Sequence, residues 1–365
     1  MKLLLASALL VAAPSAPLGT SQDQTVPEES SFPVQTLSGT LSVWRPGPNT
    51  TEKLEKSARI SPRDRLGTPS GETARFATEG PLVVLVKGVR VAPQKGLSLE
   101  RKDGRMILQF HNGTLVVESY ESDIELVTPH GKVSGKEVHF IVTADESSTR
   151  VVSLGGTPTF SNDLGEVTIG EGQSSLAERG KAPSKAKAAG RPEIEVARTL
   201  EAEGNLIPNS GFEDGLTGWK SNYPPIQEET QVVRSGKRSC RCPIKLQGQS
   251  EPVLPARTIK GVLKPGARYL LRFFVRTDAF QCNGKPGTLK FAFDPGGADL
   301  NSAAAIHSPF ESSEGAWSAR RFSFEAKGSD LALAVFTSTE DGAYSGTVWF
   351  DDFFLAEFPA LRGKK

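Results

Sequence analysis

Residues 205–219 are Asn-Leu-Ile-Pro-Asn-Ser-Gly-Phe-Glu-Asp-Gly-Leu-Thr-Gly-Trp, and this stretch decides how the second half of the chain folds. A matching segment, Gly346-Thr-Val-Trp-Phe-Asp-Asp-Phe-Phe-Leu355, ends the same half. Between them, apolar residues alternate with polar ones, as Phe322 and Phe324 do, which is typical of strands with one buried face. Strands are predicted at residues 269–276, 288–293, 319–325, 331–336 and 347–355. Residues 204–359 are therefore predicted to form an all-β domain.

This domain resembles a carbohydrate-binding module of the jelly-roll type, with the galactose-binding-like β-sandwich fold. Modules of this type open with an Asn-x-x-Phe-Glu segment and a Trp, and they close with an aromatic-rich strand that carries Asp-Asp. The matching residues here are Asn209, Phe212, Glu213 and Trp219 at the opening, Gly315-Ala-Trp317 in the middle, and Asp351-Asp352 at the close. The resemblance covers nearly the whole half and implies a domain that binds glycan rather than a catalyst.

The same resemblance implies a metal site. Its first and last strands lie close together, and a carboxylate from each, with main-chain carbonyls, makes an oxygen site suited to calcium. Glu213 and Asp351 are the expected ligands, with Asp352 in reserve. The ion would be structural and would tie the ends of the domain together. The alternative is that these acids are solvated residues of a turn and a strand edge.

Aromatic residues are the candidates for sugar contacts. Trp219, Trp317 and Trp349 are expected in the core, because the first two match core positions of the resembled module and the third lies among apolar neighbours. A ring that stacks on a pyranose is better placed on a loop. The predicted ligand-binding residues are Tyr223, Phe280 and Tyr344.

Residues 33–178 predict a second all-β domain. Short apolar or alternating segments occur at residues 82–86, 106–110, 114–118, 124–128, 138–142 and 150–154. Asp103-Gly104, Asn112-Gly113 and His130-Gly131 separate several of them and supply the positive φ that tight hairpin turns need. The pattern predicts about ten or more short strands.

This domain resembles the FecR-type extracytoplasmic domain. The resemblance rests on Thr128-Pro-His-Gly-Lys-Val-Ser-Gly135, the Phe140-Ile-Val142 strand and Gly170-Glu-Gly-Gln173. It departs from the family where Gly135-Lys136 replaces the usual Gly-Thr. In the family the domain can relay a signal through a membrane helix. The resemblance implies the fold and the compartment here, with a scaffold or sensor role.

The remaining segments predict export and a spacer between the domains. Residues 1–21 predict a secretory signal peptide, because Met1-Lys2 precedes an apolar run that is too short to span a membrane. No later apolar stretch approaches 18 residues, so no transmembrane segment is expected in the mature chain. Residues 179–203 are rich in Lys, Ala, Gly and Pro and predict a flexible linker, with a basic interaction tail as the alternative. The expected location is periplasmic, cell-surface or secreted.

The net charge and the absence of catalytic motifs argue against two classes of function. A net charge of +1 gives no general attraction to nucleic acid. The sequence contains no Gly-x-Ser-x-Gly, no His-Glu-x-x-His and no phosphate-binding glycine loop, so an enzyme is not expected.

Cys240 and Cys242 would share one face of a strand. Either could pair with Cys282, or all three could be free thiols.

Together these patterns predict an all-β, exported, non-catalytic protein. Its FecR-like domain (33–178) is joined by a flexible linker (179–203) to a jelly roll (204–359) that binds glycan or cell-envelope polysaccharide. The first domain would be a scaffold or would bind an envelope protein. The alternative is a structural or signalling envelope protein whose jelly roll binds protein or has no ligand.

Overall fold

A computed structural model of the chain describes residues 31–358, apart from 55–56, 71, 79–81, 93–94, 120–121, 191, 196–203, 222–224, 247–252, 298, 301–304, 312–314 and 338–342. Strands dominate both halves, so the predicted all-β fold class is confirmed. The predicted signal peptide (1–21) and Tyr223 lie outside the described residues. No helix within the described ranges is long and apolar enough to cross a membrane.

The first half contains two nine-stranded sheets. Its strands are β1 (Phe32–Gly39), β2 (Ser42–Arg45), β3 (Thr50–Lys53), β4 (Ser57–Ile60), β5 (Arg65–Gly67), β6 (Thr73–Thr78), β7 (Leu82–Lys87), β8 (Leu97–Lys102), β9 (Arg105–Phe110), β10 (Gly113–Ser119), β11 (Asp123–Thr128), β12 (Gly131–Lys136), β13 (His139–Ala144), β14 (Ser148–Gly155), β15 (Thr159–Asn162), β16 (Gly165–Thr168), β17 (Gln173–Glu178) and β18 (Lys187–Ala188). Sheet I has the order β18-β17-β14-β13-β10-β7-β6-β1-β4, and sheet II has the order β16-β15-β12-β11-β9-β8-β5-β2-β3.

The two sheets enclose one apolar core. Val117, Phe140 and Val142 face it from sheet I, and Leu108 and Leu126 face it from sheet II. These residues alternate along their strands with residues on the opposite face, as the pleat requires. Burying this apolar surface is the main stabilising contribution to the domain.

Of the three predicted hairpin turns, two join strands that pair with each other, and the third joins strands of different sheets. Asp103-Gly104 joins β8 to β9, and both residues have positive φ, as a two-residue hairpin turn demands. The turn at 129–130 joins β11 to β12. Asn112-Gly113 instead carries the chain from β9 in sheet II to β10 in sheet I. The dipeptide fixes the local bend, but core burial decides which strands pair.

The described part of the linker packs on the first domain instead of extending from it as a flexible spacer. β18 pairs with β17 along the edge of sheet I. Ala189 packs against the outer face of that sheet, and residues 192–195 are helical. Arg150 Nη1 donates to Glu193 Oε1 at 2.8 Å. The polar composition predicts a flexible linker, but a sheet edge offers main-chain partners that composition does not reveal.

The second half forms a two-sheet sandwich. Its strands are β19 (Gln227–Glu229), β20 (Ser239–Leu246), β21 (Val253–Ile259), β22 (Arg268–Cys282), β23 (Lys285–Pro286), β24 (Thr288–Asp294), β25 (Ile306–Glu311), β26 (Ser318–Glu325), β27 (Leu331–Thr337) and β28 (Tyr344–Phe358). Sheet III has the order β19-β20-β28-β22-β23, with β26 also paired to β22. Sheet IV has the order β21-β27-β24-β25.

The core of the sandwich is rich in phenylalanine. Phe273 packs its ring against Phe291 at a centroid distance of 4.7 Å and against Phe353 at 5.0 Å. Cys240 and Cys242 share one face of β20, as predicted, and their sulfur atoms lie 4.0 Å apart in this core. Both are free thiols, as is the half-buried Cys282. Burial raises the pKa of the Cys242 thiol, which keeps it protonated.

Candidate functional site

The 205–219 segment lies against the last strand, as its resemblance implied, but it consists of turns rather than a strand. Asn205 Nδ2 donates to the Phe353 carbonyl at 2.8 Å, and Asn205 Oδ1 accepts from the Leu355 N–H at 3.0 Å. The Leu206 N–H donates to the Leu355 carbonyl at 2.9 Å. The Asn205 side chain thus makes the two hydrogen bonds with β28 that the main chain of a neighbouring strand would make.

Trp219 is a core residue, as predicted. Its ring lies 5.0 Å from the Phe212 ring and 4.6 Å from the Phe353 ring, and its Nε1 donates to the Asn209 carbonyl at 3.0 Å. Trp317 is only half-buried. Trp349 is buried beneath other side chains on the outer face of sheet III, where its Nε1 donates to Glu229 at 3.4 Å.

The three predicted calcium ligands are engaged by hydrogen-bond donors from the loop at residues 234–238. Asp351 Oδ2 accepts the Arg234 N–H at 3.0 Å, and Asp351 Oδ1 accepts the Asp352 N–H at 2.8 Å. Asp352 accepts from the Arg234 guanidinium at 2.7 Å and from the Ser235 hydroxyl. Glu213 accepts the Lys237 N–H at 3.1 Å.

This donor pattern does not fit a calcium site. Calcium needs six to eight oxygen ligands, whereas these oxygens face N–H and O–H groups and one guanidinium. Burial, with the neighbouring negative charge of Asp352, raises the pKa of Asp351 well above its ordinary value. Among the described residues, no three acidic, histidine or cysteine side chains converge on a possible ion position. In this structure the three acids therefore hydrogen-bond with the 234–238 loop.

Two of the three predicted sugar-binding aromatics face the core. Phe280 and Tyr344 are each 4% exposed, and their rings stack on each other at a centroid distance of 6.1 Å. Gly287 packs directly on the Phe280 ring. Neither ring offers a face to a ligand, because the long β22 and β28 strands continue through this region and bury both side chains.

The outer face of sheet III is covered by the first domain through buried charged residues. Glu118 and His139 are cross-strand partners on sheet I, and Arg272 and Arg321 are cross-strand partners on sheet III. Arg272 Nη1 donates to Glu118 Oε1 at 3.0 Å and lies 2.8 Å from His139 Nδ1. The same Arg272 nitrogen lies 3.2 Å from His139 Nε2, so the guanidinium contacts the imidazole as well as the carboxylate. Arg272 is 1% exposed, so the pair is fully removed from water.

Apolar and stacking contacts flank these charges. Ala77 on sheet I packs against Leu270, Phe354 and Ala356 on sheet III, and all four are buried. The Arg75 guanidinium lies 5.0 Å from the centre of the Phe354 ring. The two domains therefore meet sheet to sheet, and this part of the sheet III face is closed to ligands.

Arginine residues continue the contact toward the 170–172 turn. Arg234 Nη2 donates to the Leu154 carbonyl at 3.3 Å, and its guanidinium lies 3.3 Å from the centre of the Phe274 ring. Glu171 accepts the Ala319 N–H, and burial raises the pKa of Glu171 while the positive charges of Arg234 and Arg321 partly offset that effect. These contacts extend the interface between the two domains beyond the Arg272–Glu118 ion pair.

The outer face of sheet IV, on the far side of the sandwich, carries the candidate surface. Leu289, Phe291, Leu333 and Val335 face the core, so the residues between them face outward. Ala292 and Ala334 are paired and buried at the floor. The taller side chains around them are those of Phe336, Lys290, His307, Pro309 and Thr258. We call these seven residues the sheet IV surface.

The sheet IV surface combines an aromatic ring with polar groups. Phe336 is half-buried, and the Lys290 ammonium lies 5.5 Å from the centre of its ring. His307 is exposed opposite Ala292. Because Ala292 and Ala334 are each 0% exposed, the Phe336 ring and the polar side chains are the parts of this surface that a ligand can contact.

Sugar contacts were expected on loops, so this surface was not among the predicted sites. The sequence of β27 nevertheless indicates it. In Leu331-Ala-Leu-Ala-Val-Phe336, large apolar residues on one face alternate with alanines on the other. An outward face of alanines that ends in a phenylalanine is a shallow surface with one ring at its edge.

The chain matches no family model and no curated protein. Among solved structures, it is similar to a family 16 carbohydrate-binding module at 19% identity, covering 42% of this chain and 100% of that one, with a TM-score of 0.31. The family 22 xylan-binding domain from Paenibacillus barcinonensis has 16% identity, with 41% and 93% covered and a TM-score of 0.32. An anti-sigma factor assigned in Parabacteroides distasonis has 12% identity, with 37% and 63% covered and a TM-score of 0.30.

Proposed function

We propose that this protein is an exported, non-catalytic binding protein that recognises a glycan of the cell envelope or its surroundings through the sheet IV surface. The observation that supports this proposal is the unequal use of the two faces of the sandwich. The face of sheet III packs on the first domain, whereas the face of sheet IV points away from it with an aromatic ring and polar side chains.

The chemistry of the sheet IV surface favours a sugar over a purely apolar ligand. A pyranose has an apolar face that can contact the half-buried Phe336 ring, and it has hydroxyl groups at its edges. Lys290, Thr258 and His307 can hydrogen-bond those hydroxyls at the rim. In this proposal the first domain holds the jelly roll in a fixed orientation and leaves the sheet IV surface open to an extended polysaccharide.

A glycan array probed with the full chain tests the proposal, using the Phe336→Ala variant beside the wild type. We expect the wild type to bind a defined saccharide class and the variant to lose about tenfold or more in affinity, because stacking and apolar contact are removed. Trp44→Ala, which removes a half-buried aromatic side chain from β2 of the first domain, is the control and should bind normally.

Two results would reject this assignment. A blank array from correctly folded wild-type protein would favour the structural or signalling alternative. Binding that is equally strong in Phe336→Ala and Trp44→Ala would place the glycan elsewhere on the protein. Circular dichroism and a melting curve of each variant separate a lost contact from a lost fold.

A further inference from the structure

A second concave region lies in the first domain, away from the sheet IV surface. It is an open groove of about 940 Å³ at one end of the sandwich. The β11–β12 turn, the β15–β16 turn and the turn after β17 form its sides, at residues 127–132, 161–164 and 179–180. Lys95 and His111 close the end nearest to β8 and β9.

Hydrogen bonds connect the sides of the groove to one another. Asn162 Nδ2 donates to the His130 carbonyl at 3.2 Å and to the Lys181 carbonyl at 2.8 Å. His130 Nε2 lies 3.1 Å from the Asp145 carbonyl, which can only accept, so this nitrogen carries the proton. Arg179 Nη2 donates to the Glu146 carbonyl at 2.6 Å. The groove is therefore formed before any ligand arrives.

The lining has more positive than negative groups. Lys95, Lys132 and Arg179 contribute three cations, whereas Glu146 and Asp163 contribute two carboxylates. His111 and His130 add two imidazoles, whose ring nitrogens can hydrogen-bond a ligand. Lys132 also lies 3.6 Å from Glu125, but its side chain is 53% exposed and can reach a ligand.

Two further features point to a ligand with both hydroxyl and apolar groups. Asn112 Oδ1 is buried in the groove wall and has no hydrogen-bond partner in the described part of the chain. A buried acceptor of this kind is destabilising unless a donor reaches it. Leu164, on the opposite side, is 61% exposed, an unusual position for a large apolar side chain.

We propose that this groove binds a short acidic oligosaccharide that carries uronate carboxylates. The cations take the carboxylates, a sugar hydroxyl donates to Asn112 Oδ1, and the apolar face of one sugar ring covers Leu164. The groove volume lies in the range of ligand sites. This site is separate from the sheet IV surface, and it gives the first domain a binding role of its own.

Calorimetric titration of the full chain with trigalacturonate tests this proposal, with maltotriose as the uncharged trisaccharide. We expect trigalacturonate to bind and maltotriose to bind far more weakly. The affinity should fall when NaCl is raised from about 0.05 to about 0.5 M, because exposed charges are screened. The Lys132→Gln variant should lose about fivefold in affinity, since one charge-assisted contact is removed.

Lys136→Gln is the matched control, because Lys136 lies on the same strand, is also exposed and does not line the groove. It should bind like the wild type, and equal melting temperatures of both variants show that the fold is intact. Absence of trigalacturonate binding, or equal affinities of Lys132→Gln and Lys136→Gln, overturns the proposal. Phe336→Ala should leave this binding unchanged, so a failure here is distinguishable from a failure at the sheet IV surface.

Discussion

Individual carboxylates in the second domain hold a loop in place. Asp351, Asp352 and Glu213 all accept hydrogen bonds from residues 234–238, and they do so from both ends of the domain sequence. Sequence resemblance predicted these three acids as ligands of one calcium ion, and in the structure each accepts a hydrogen bond from the 234–238 loop. It could not reveal which atoms face them, because a carboxylate suits a cation and an N–H group equally well.

This geometry leads to a prediction about calcium. We expect the melting temperature to be the same in excess calcium and in excess EDTA, because the three carboxylates already have hydrogen-bond donors. A bound ion at about 100 times its Kd would instead add about 2.7 kcal/mol of stability and raise the melting temperature by several degrees. A rise of that size, lost in the Asp351→Asn variant, would restore calcium as the link between the two ends.

At the scale of elements, alternation predicted the strands well and their partners poorly. The strands at 288–293, 319–325 and 331–336 were each found within a residue or two of their predicted bounds. The sequence did not reveal that β9 and β10 belong to opposite sheets, because Asn112-Gly113 resembles a hairpin turn locally. Pairing depends on which faces meet in the core, and that information is spread over the whole domain.

The long strands β22 and β28 depend on one glycine. Gly346 has φ of +120°, and a Cβ there would lie 2.4 Å from the Ala279 carbonyl oxygen, at the irregularity in the pairing of the two strands. We expect Gly346→Ala to lower the free energy of unfolding by about 3 kcal/mol or more, because strain and a main-chain clash add together. Urea denaturation measures this change.

Gly315→Ala provides the comparison for that prediction. Gly315 also has a positive φ, of +71°, but a Cβ at this position would meet no atom of the described residues within 4 Å, its chain neighbours apart. The substitution should cost only about 1 kcal/mol, which is the contribution of the backbone conformation alone. If both variants lose the same free energy of unfolding, the close approach of Ala279 to Gly346 does not contribute to the loss.

At the scale of the whole molecule, the contact between the domains is the feature that sequence reasoning missed. Tyr269-Leu-Leu-Arg-Phe-Phe-Val275 is apolar on both faces of its strand, with Arg272 inside the run. A strand that is apolar on both faces belongs to a sheet that is covered on both faces. That pattern indicates a covering layer, but the identity of the layer follows only from the matching residues of sheet I, which lie more than a hundred positions earlier in the chain.

The same contact defines how the proposed sites act together. Because sheet I and sheet III share buried charges and apolar residues, the groove of the first domain and the sheet IV surface are held in a fixed relation. A polymer that reaches both would gain affinity from the second contact without a second loss of translational freedom. The rigid contact, rather than a flexible linker, then sets which polymer lengths can bridge the two sites.

The strength of this contact is measurable through Arg272. Arg272→Met should leave Glu118 buried without its nearest guanidinium and cost about 3–5 kcal/mol, as removal of one partner from a buried pair does. We expect calorimetry to show one unfolding transition for the wild type and two separated transitions for the variant. Adding Glu118→Gln to Arg272→Met should recover part of the loss, because the buried charge that has lost its nearest guanidinium and keeps the longer 3.7 Å contact with Arg321 is then removed. Arg276→Met, on the same strand and the same face near Trp349, is the control and should keep a single transition. Two transitions already present in the wild type would mean that the domains unfold independently and that the buried pair does not join them.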